Sequence, residues 1–326
     1  MILGLTRKEL DDGARLVHEV VPPTPQYSWP LLNERAGTEV WVKHENHTAT
    51  GAFKVRGGLT LMEHLRRENP KLEGVASATR GNHGQSVAFA GRRHGLRSLI
   101  VVPHGNSKEK NAAMRAGGAE LVEHGRDYDE AREHAHELAK AQGLYYIGPF
   151  DRHLVTGVGS YAMELFNAVA DIDEVYVPVG CGSGICGVIA WRDALGLKTR
   201  VVGVVAENAA CYALSFAAGK PVETKTANTF ADGVAVRVPV PEALEAILAG
   251  AERIVAVSDD EVKAAMRDLY RCTHNIAEGA GAAPLAALLK DKGRAGARFA
   301  VILSGGNIDR EMYLDALSAS SPTIQG

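Results

Sequence analysis

Six short runs rich in β-branched and other apolar residues punctuate this chain: Glu39 to Lys43, Gly74 to Ser77, Leu99 to Val102, Val175 to Val179, Val201 to Ala206 and Arg298 to Leu303. The segments between them carry helical periodicity instead. Val55, Leu59, Met62 and Leu65 fall on one helical face, Lys108 to Ala116 runs into Gly117 and Gly118, Tyr128 to Ala141 is alanine-rich, and Ser258 with Glu261 forms a capping box. Strands separated by helices are joined by crossovers and pair in parallel, so helices cover both faces of the sheet. An α/β architecture follows, and its ligands are expected at the carboxyl ends of the strands.

Charge and length narrow the function. The 326 residues carry 36 Lys+Arg against 39 Asp+Glu, a formal net charge of −3. That balance gives no electrostatic pull toward nucleic acid or an anionic membrane. No apolar run reaches the roughly 20 residues a membrane helix needs, and the charged segment from Met1 to Leu16 has no secretory signal pattern. A cytoplasmic location is expected. Cys181, Cys186, Cys211 and Cys272 form no CxxC pair, which points to reduced thiols and no zinc site.

Four motifs sit where strands hand over to helices. Val177 to Gly187 is a strand followed by the turn Gly180-Cys181-Gly182-Ser183-Gly184 and a helix expected from Ile185. Bare glycine backbone at a helix N-terminus makes a cup for phosphate. A dinucleotide fingerprint beginning at Gly180 wants glycine where Ile185 stands, and no Walker Gly-Lys-Ser/Thr is present, so a nucleotide is disfavoured. Thr50 to Gly58 holds Phe53-Lys54 at a helix start, where a desolvated amine can attack a carbonyl. Ser77 to Gln85 contains Thr79-Arg80-Gly81-Asn82-His83 ahead of a helix expected over Ser86 to Ala90, with donors suited to a carboxylate or a phenolic oxygen. Phe299 to Asn307 is an apolar strand that presents Ser304 at its end.

Together these motifs resemble the fold-type II enzymes that use pyridoxal 5′-phosphate, specifically the threonine/serine dehydratase and serine racemase family. Thr24-Pro25, Phe53-Lys54, Gly81-Asn82-His83, Pro149-Phe150-Asp151, the glycine turn, Ala231-Asp232-Gly233, Glu278 and Ser304-Gly305-Gly306-Asn307 occur in the family's order. The resemblance implies two three-layer αβα lobes with mostly parallel twisted sheets, of the tryptophan synthase beta type. It implies a large cofactor-binding domain over residues 1–70 and 150–326 and a small substrate-loop domain over 71–149. It also implies that Lys54 forms the Schiff base with the cofactor and that Gly180, Cys181, Gly182, Ser183 and Gly184 hold its phosphate. Asn82 would meet the ring hydroxyl and Ser304 the ring nitrogen, with Phe53, Gly233 and Glu278 around the ring. Thr79, Arg80, Asn82 and His83 would face the substrate. The implied reaction converts a β-hydroxy-α-amino acid, threonine and/or serine, to a 2-oxo acid and ammonia, and a homodimer is expected as the commonest arrangement of soluble enzymes.

The departures set the alternatives. The family's second serine, which racemases use as an acid/base, is Arg80 here; a permanently protonated guanidinium is a poor proton shuttle, so racemisation is disfavoured. Arg80 either reads a carboxylate, the α-carboxylate or a second one as in 3-hydroxyaspartate, or joins a structural ion pair. Dehydration of 3-hydroxyaspartate or a phenylserine is therefore an alternative. Cysteine-synthase chemistry is weakened by Val55-Arg56 after the lysine. A dinucleotide oxidoreductase and a cofactor-binding sensor without turnover are the rivals from other classes. Glu207 has Ala213 where the family's metal site has an aspartate, so no such site is expected. With about twenty residues after Ser304, no regulatory domain of the biosynthetic dehydratases is expected either.

Overall fold

The computed structural model describes residues 2–291 and 296–318. Its strands are β1 (Gln26–Ser28), β2 (Glu39–His44), β3 (Gly74–Ala78), β4 (Arg97–Val102), β5 (Glu120–Glu123), β6 (Tyr145–Tyr146), β7 (Glu174–Pro178), β8 (Arg200–Ala206), β9 (Arg253–Val257) and β10 (Arg298–Leu303). They form a six-stranded sheet in the order β1-β2-β10-β7-β8-β9 and a four-stranded sheet in the order β5-β4-β3-β6. Every pairing is parallel except that of β1 with β2. All six expected strands are present, and they are the interior strands plus none of the edges.

Each sheet is buried on both faces, as parallel sheets require. In the larger one, Val175, Val177, Ala300 and Ile302 pack with Val188, Ile189 and Ile247 on one side. Their alternates Tyr176, Phe299, Val301 and Leu303 pack with Met266, Leu269 and Leu285 on the other. In the smaller one, Val75, Ile100 and Val102 face Leu59, Met62 and Val87, whereas Ala76, Ala78, Leu99 and Val101 face Ala131, Ala135 and Ala139. The result is two three-layer αβα arrangements. The alanines of Tyr128–Gln142 let that helix lie close to its sheet, and Asp127 caps its start by accepting from Glu130 N–H.

The helix Lys54–Glu68 lies between helices Asn82–Arg93 and Arg152–Val158. Two glycines make this possible: a Cβ on Gly58 would lie 2.2 Å from Ser86 Oγ, and one on Gly57 would lie 2.7 Å from Leu154 O. The capping box of Ser258 and Glu261 is formed as expected. Two helices start earlier than the sequence suggests, Asn82–Arg93 rather than Ser86, and Ser183–Ala194 rather than Ile185. Asn, Gly and Ser are weak helix formers in an interior, but the first turn needs no intrahelical acceptor for its N–H groups, and there they are tolerated. No described helix is long and apolar enough to cross a membrane.

Candidate active site

Strands β3, β7 and β10 lead into Thr79, Gly180 and Ser304, and all three of these residues line one cavity of about 670 Å³. Phe53, Lys54, Arg80, Asn82, His83, Gly233 and Glu278 line it too. Every residue singled out in the sequence as a candidate is thereby brought together.

Lys54 is fixed through its backbone. Phe53 N–H donates to Ser304 O (3.0 Å), Gly306 N–H donates to Gly51 O (2.9 Å), and Ala52 bridges Gly305. On the helix side, Ser86 Oγ donates to Lys54 O at 2.6 Å. The ammonium sits 3.4 Å from Ser183 Oγ and 5.0 Å from the centre of the Phe53 ring. The amine opens to the cavity but is otherwise enclosed by protein. Desolvation pulls its pKa below the ordinary lysine value, and Cys181 and Glu278 offset that only in part.

The turn after β7 is bare backbone. Val179 N–H is taken by Val204 O and Cys186 N–H by Gly182 O, and the amides of residues 180 to 184 between them have no acceptor among the described residues. Gly182 holds φ +99°, the left-handed region that glycine favours. A Cβ on Gly180 would lie 2.2 Å from Gly233 O, so a side chain there would close the cup. The turn is tied to the lysine loop, since Tyr161 donates to Gly184 O at 3.0 Å and its ring meets Phe53 edge-on.

The opposite wall is a chain of polar contacts. Asn82 Nδ2 donates to Glu278 Oε1 (2.6 Å), and Asn82 Oδ1 accepts from Asn307 Nδ2 (2.9 Å). Lys110 Nζ reaches Asp232 Oδ2 at 2.5 Å and Glu278 Oε2 at 3.5 Å. Burial raises the Glu278 pKa to about 7; Lys110 opposes that shift and Asp232 adds to it. Burial also opposes the charge on Lys110, but Glu278 and Asp232 outweigh it and its pKa is raised. His83 is neutral: burial, then the nearby Lys54 charge, lowers its pKa to about 3, and its Nε2 has no hydrogen-bond partner. Sequence reasoning missed Lys110 and gave no role to Asp232, which it met only as part of the motif Ala231-Asp232-Gly233. Lys110 shares a buried helix face with Asn111 and Met114, and a lysine in phase with an apolar residue was the available signal.

Thr79 and Arg80 differ from their neighbours. Thr79 Oγ1 accepts from Gly81 N–H (3.0 Å) and Gly84 N–H (3.3 Å), so its lone pairs hold the turn. Arg80 is exposed and has no hydrogen bond or ion pair among the described residues, so the structural-ion-pair reading of this residue is corrected. A guanidinium needs a carboxylate within about 4 Å to form such a pair, and none is there. Glu207 is engaged by Lys290 at 3.2 Å.

Residues 17–305 match the model of the family described as pyridoxal-phosphate dependent enzymes. The chain belongs to this family. It is 36% identical over 297 residues to the biosynthetic L-threonine dehydratase IlvA of Pasteurella multocida, covering 90% of this chain and 58% of that relative. It is 33% identical over 309 residues to the L-threonine ammonia-lyase of Thermotoga maritima, covering 94% of this chain and 77% of that relative. The chain thus spans about half the length of the biosynthetic dehydratases it matches. Among solved structures, the processed form of threonine deaminase isoform 2 from Solanum lycopersicum superposes with a TM-score of 0.89 at 32% identity, covering 98% of this chain and 96% of that one. Membership of this family sets aside the dinucleotide-dependent reading.

The family's cofactor is pyridoxal 5′-phosphate, and the residues present fit it. An anionic tail needs free donors without side chains in the way, which the 180–184 turn supplies. An aldehyde needs an amine that loses its proton readily, which Lys54 is. Ser304, 3% exposed, has a hydroxyl with no partner among the described residues, available to a ring nitrogen.

Proposed function

We propose that this chain is an ammonia-lyase that converts a β-hydroxy-α-amino acid such as threonine or serine to a 2-oxo acid and ammonia. The observation that carries the reading is a desolvated Lys54 amine 3.4 Å from a turn of unsatisfied amides, in one cavity with Ser304 and Asn82. When bound, pyridoxal 5′-phosphate supplies an aldehyde carbon and a conjugated ring that draws electrons from the α-carbon of an amino acid.

The protein's own groups then do the following. The amides of residues 180 to 184 hold the phosphate, Asn82 the ring hydroxyl and Ser304 the ring nitrogen, with Phe53, Gly233 and Glu278 around the ring. A serine at that nitrogen is a neutral partner, unlike a carboxylate, and does not enforce protonation; this favours prompt loss of a β-hydroxyl over reactions that need a long-lived carbanion. Lys54, with its lowered pKa, is neutral more often near pH 7 than an ordinary lysine and takes the α-proton as general base. The Asn82 and His83 amides open a helix and face the substrate carboxylate. The same reading assigns residues 71–149 to a smaller substrate-loop domain and the chain to a cytoplasmic homodimer.

The test is to incubate the purified protein, loaded with cofactor, with a panel of 3-hydroxy amino acids and to follow 2-oxo acid and ammonia, with Lys54→Ala as control. Formation of both products by the unaltered protein and loss in the variant supports the reading. Absence of both across the panel overturns it. Cysteine formed in preference when sulfide is added would move the assignment to β-replacement.

A further inference from the structure

We infer that Arg80 selects a substrate whose β-carbon carries a second carboxylate, so that among β-hydroxy-α-amino acids the 3-hydroxyaspartate type is preferred to serine. The inference rests on the ammonia-lyase reading for its reaction but not for its binding argument. Arg80 lines the cavity and is exposed, with no partner among the described residues. Each acid of the cavity wall has another contact, and none of them is paired with Arg80. Asp127 accepts from Glu130 N–H. Asp129 pairs with Arg132 and Arg237. Asp232 is held by Lys110, and Glu278 by Asn82 and Lys110.

The α-carboxylate has another receiver. Thr79 Oγ1 occupies the N–H groups of Gly81 and Gly84, leaving those of Asn82 and His83 at the helix start for an incoming anion. That pinned turn also fixes the backbone from which Arg80 projects. The α-carboxylate is thus met by backbone, and Arg80, in the same turn, remains for a different anion. A planar, permanently charged fork suits a carboxylate in two-point contact, and it finds no equivalent in a methyl group or hydrogen on the β-carbon. Lys225, a second exposed cation lining the same cavity without a partner among the described residues, adds to the positive field.

The test separates binding from turnover. L-aspartate and L-alanine share the α-amino acid portion, lack a β-hydroxyl and differ by the second carboxylate. Calorimetric titration of the cofactor-loaded protein with each gives two dissociation constants. The expected result is that aspartate binds about ten- to a hundredfold tighter, the range of a charge-assisted hydrogen bond, and that Arg80→Ala abolishes this ratio while Arg80→Lys keeps part of it. In parallel, the ratio of kcat/KM for 3-hydroxyaspartate to that for serine should fall by a similar factor in Arg80→Ala. Equal affinity for aspartate and alanine in the unaltered protein, or an equal loss for both in Arg80→Ala, overturns the inference, the second outcome by giving Arg80 to the α-carboxylate. An aspartate preference without elimination from any 3-hydroxy amino acid sustains the Arg80 assignment and defeats the lyase reading. Elimination from serine without an aspartate preference does the reverse.

Discussion

Two sets of polar and charged groups gather near the start of the helix Lys54–Glu68, and they are built differently. In one, Arg56 donates from Nε to Glu45 Oε2 (2.7 Å) and from Nη1 to Glu164 Oε1 (2.6 Å), while Lys43 Nζ reaches Glu164 Oε2 (2.6 Å) and Thr24 O (2.6 Å). Lys43, Glu45 and Arg56 are fully buried, and none of the four charged side chains has a buried polar atom left without a partner. Around the cavity, His83 Nε2 lacks a hydrogen-bond partner, Glu278 Oε2 meets only the Lys110 ammonium at 3.5 Å, the Lys54 amine has one distant hydroxyl, and Arg80 has none among the described residues. A closed network of this sort contributes little net stability against apolar replacements, because desolvation offsets its attraction. What it does is fix the rotation of the helix two residues after Lys54. The open set is the one with capacity for a ligand.

This contrast can be broken at several points. Lys54→Ala should cut 2-oxo acid formation by at least about a thousandfold, within the range for loss of a general base, yet leave the thermal midpoint of the apoprotein unchanged or higher, because a poorly solvated amine has gone. Arg56→Met should do the opposite in kind. It leaves the buried Glu45 without its cation, while Glu164 keeps Lys43, and should cost about 3–5 kcal/mol in urea unfolding, and a variant that unfolds like the parent would show that the Arg56 network is not closed.

Glu278 sharpens the comparison through pH. Its folded pKa, about 7, lies above the ordinary 4.5, so the folded state holds the proton more tightly than the unfolded chain does. Its contribution is therefore fully present below about pH 4.5 and lost as pH rises toward 7, a change of about 1–3 kcal/mol. Urea midpoints of apoprotein across that window should fall less steeply in Glu278→Gln. Thr79→Val, which removes the acceptor for two amides, should cost about 1–2 kcal/mol and raise KM more than it lowers kcat. The surface pair Arg97–Glu120, with both partners largely exposed, is the control: Glu120→Gln should change stability by less than about 1 kcal/mol.

Legibility in the sequence followed burial. The strands read correctly, β2, β3, β4, β7, β8 and β10, are the interior ones, whose apolar runs are unbroken because both faces are covered. The four missed are the edges of the two sheets. β1 and β6 are three and two residues long, β5 is flanked by Glu120 and Glu123, and β9 is only partly buried. Edge strands are short and carry charge, so their pattern is weak. The site was legible where chemistry needs unusual residues, as in Gly180 to Gly184 and Phe53-Lys54. It was illegible at Lys110 and in the role of Asp232, which matter only through a contact between distant helices and loops. Arg80 was conspicuous as a departure from the family pattern, but only the structure shows which neighbouring acids are already engaged.

The bridge between Ala52 and Gly305, with Phe53 N–H on Ser304 O, makes the lysine loop and the end of β10 one piece. These segments leave the ribosome at opposite ends of translation of the described chain. Until the second is made, the first has no template for its shape, and β2 has no neighbour on the side that β10 occupies. A complete cofactor site, with Ser304 joined to the loop that carries Lys54, therefore cannot assemble before β10 has been made.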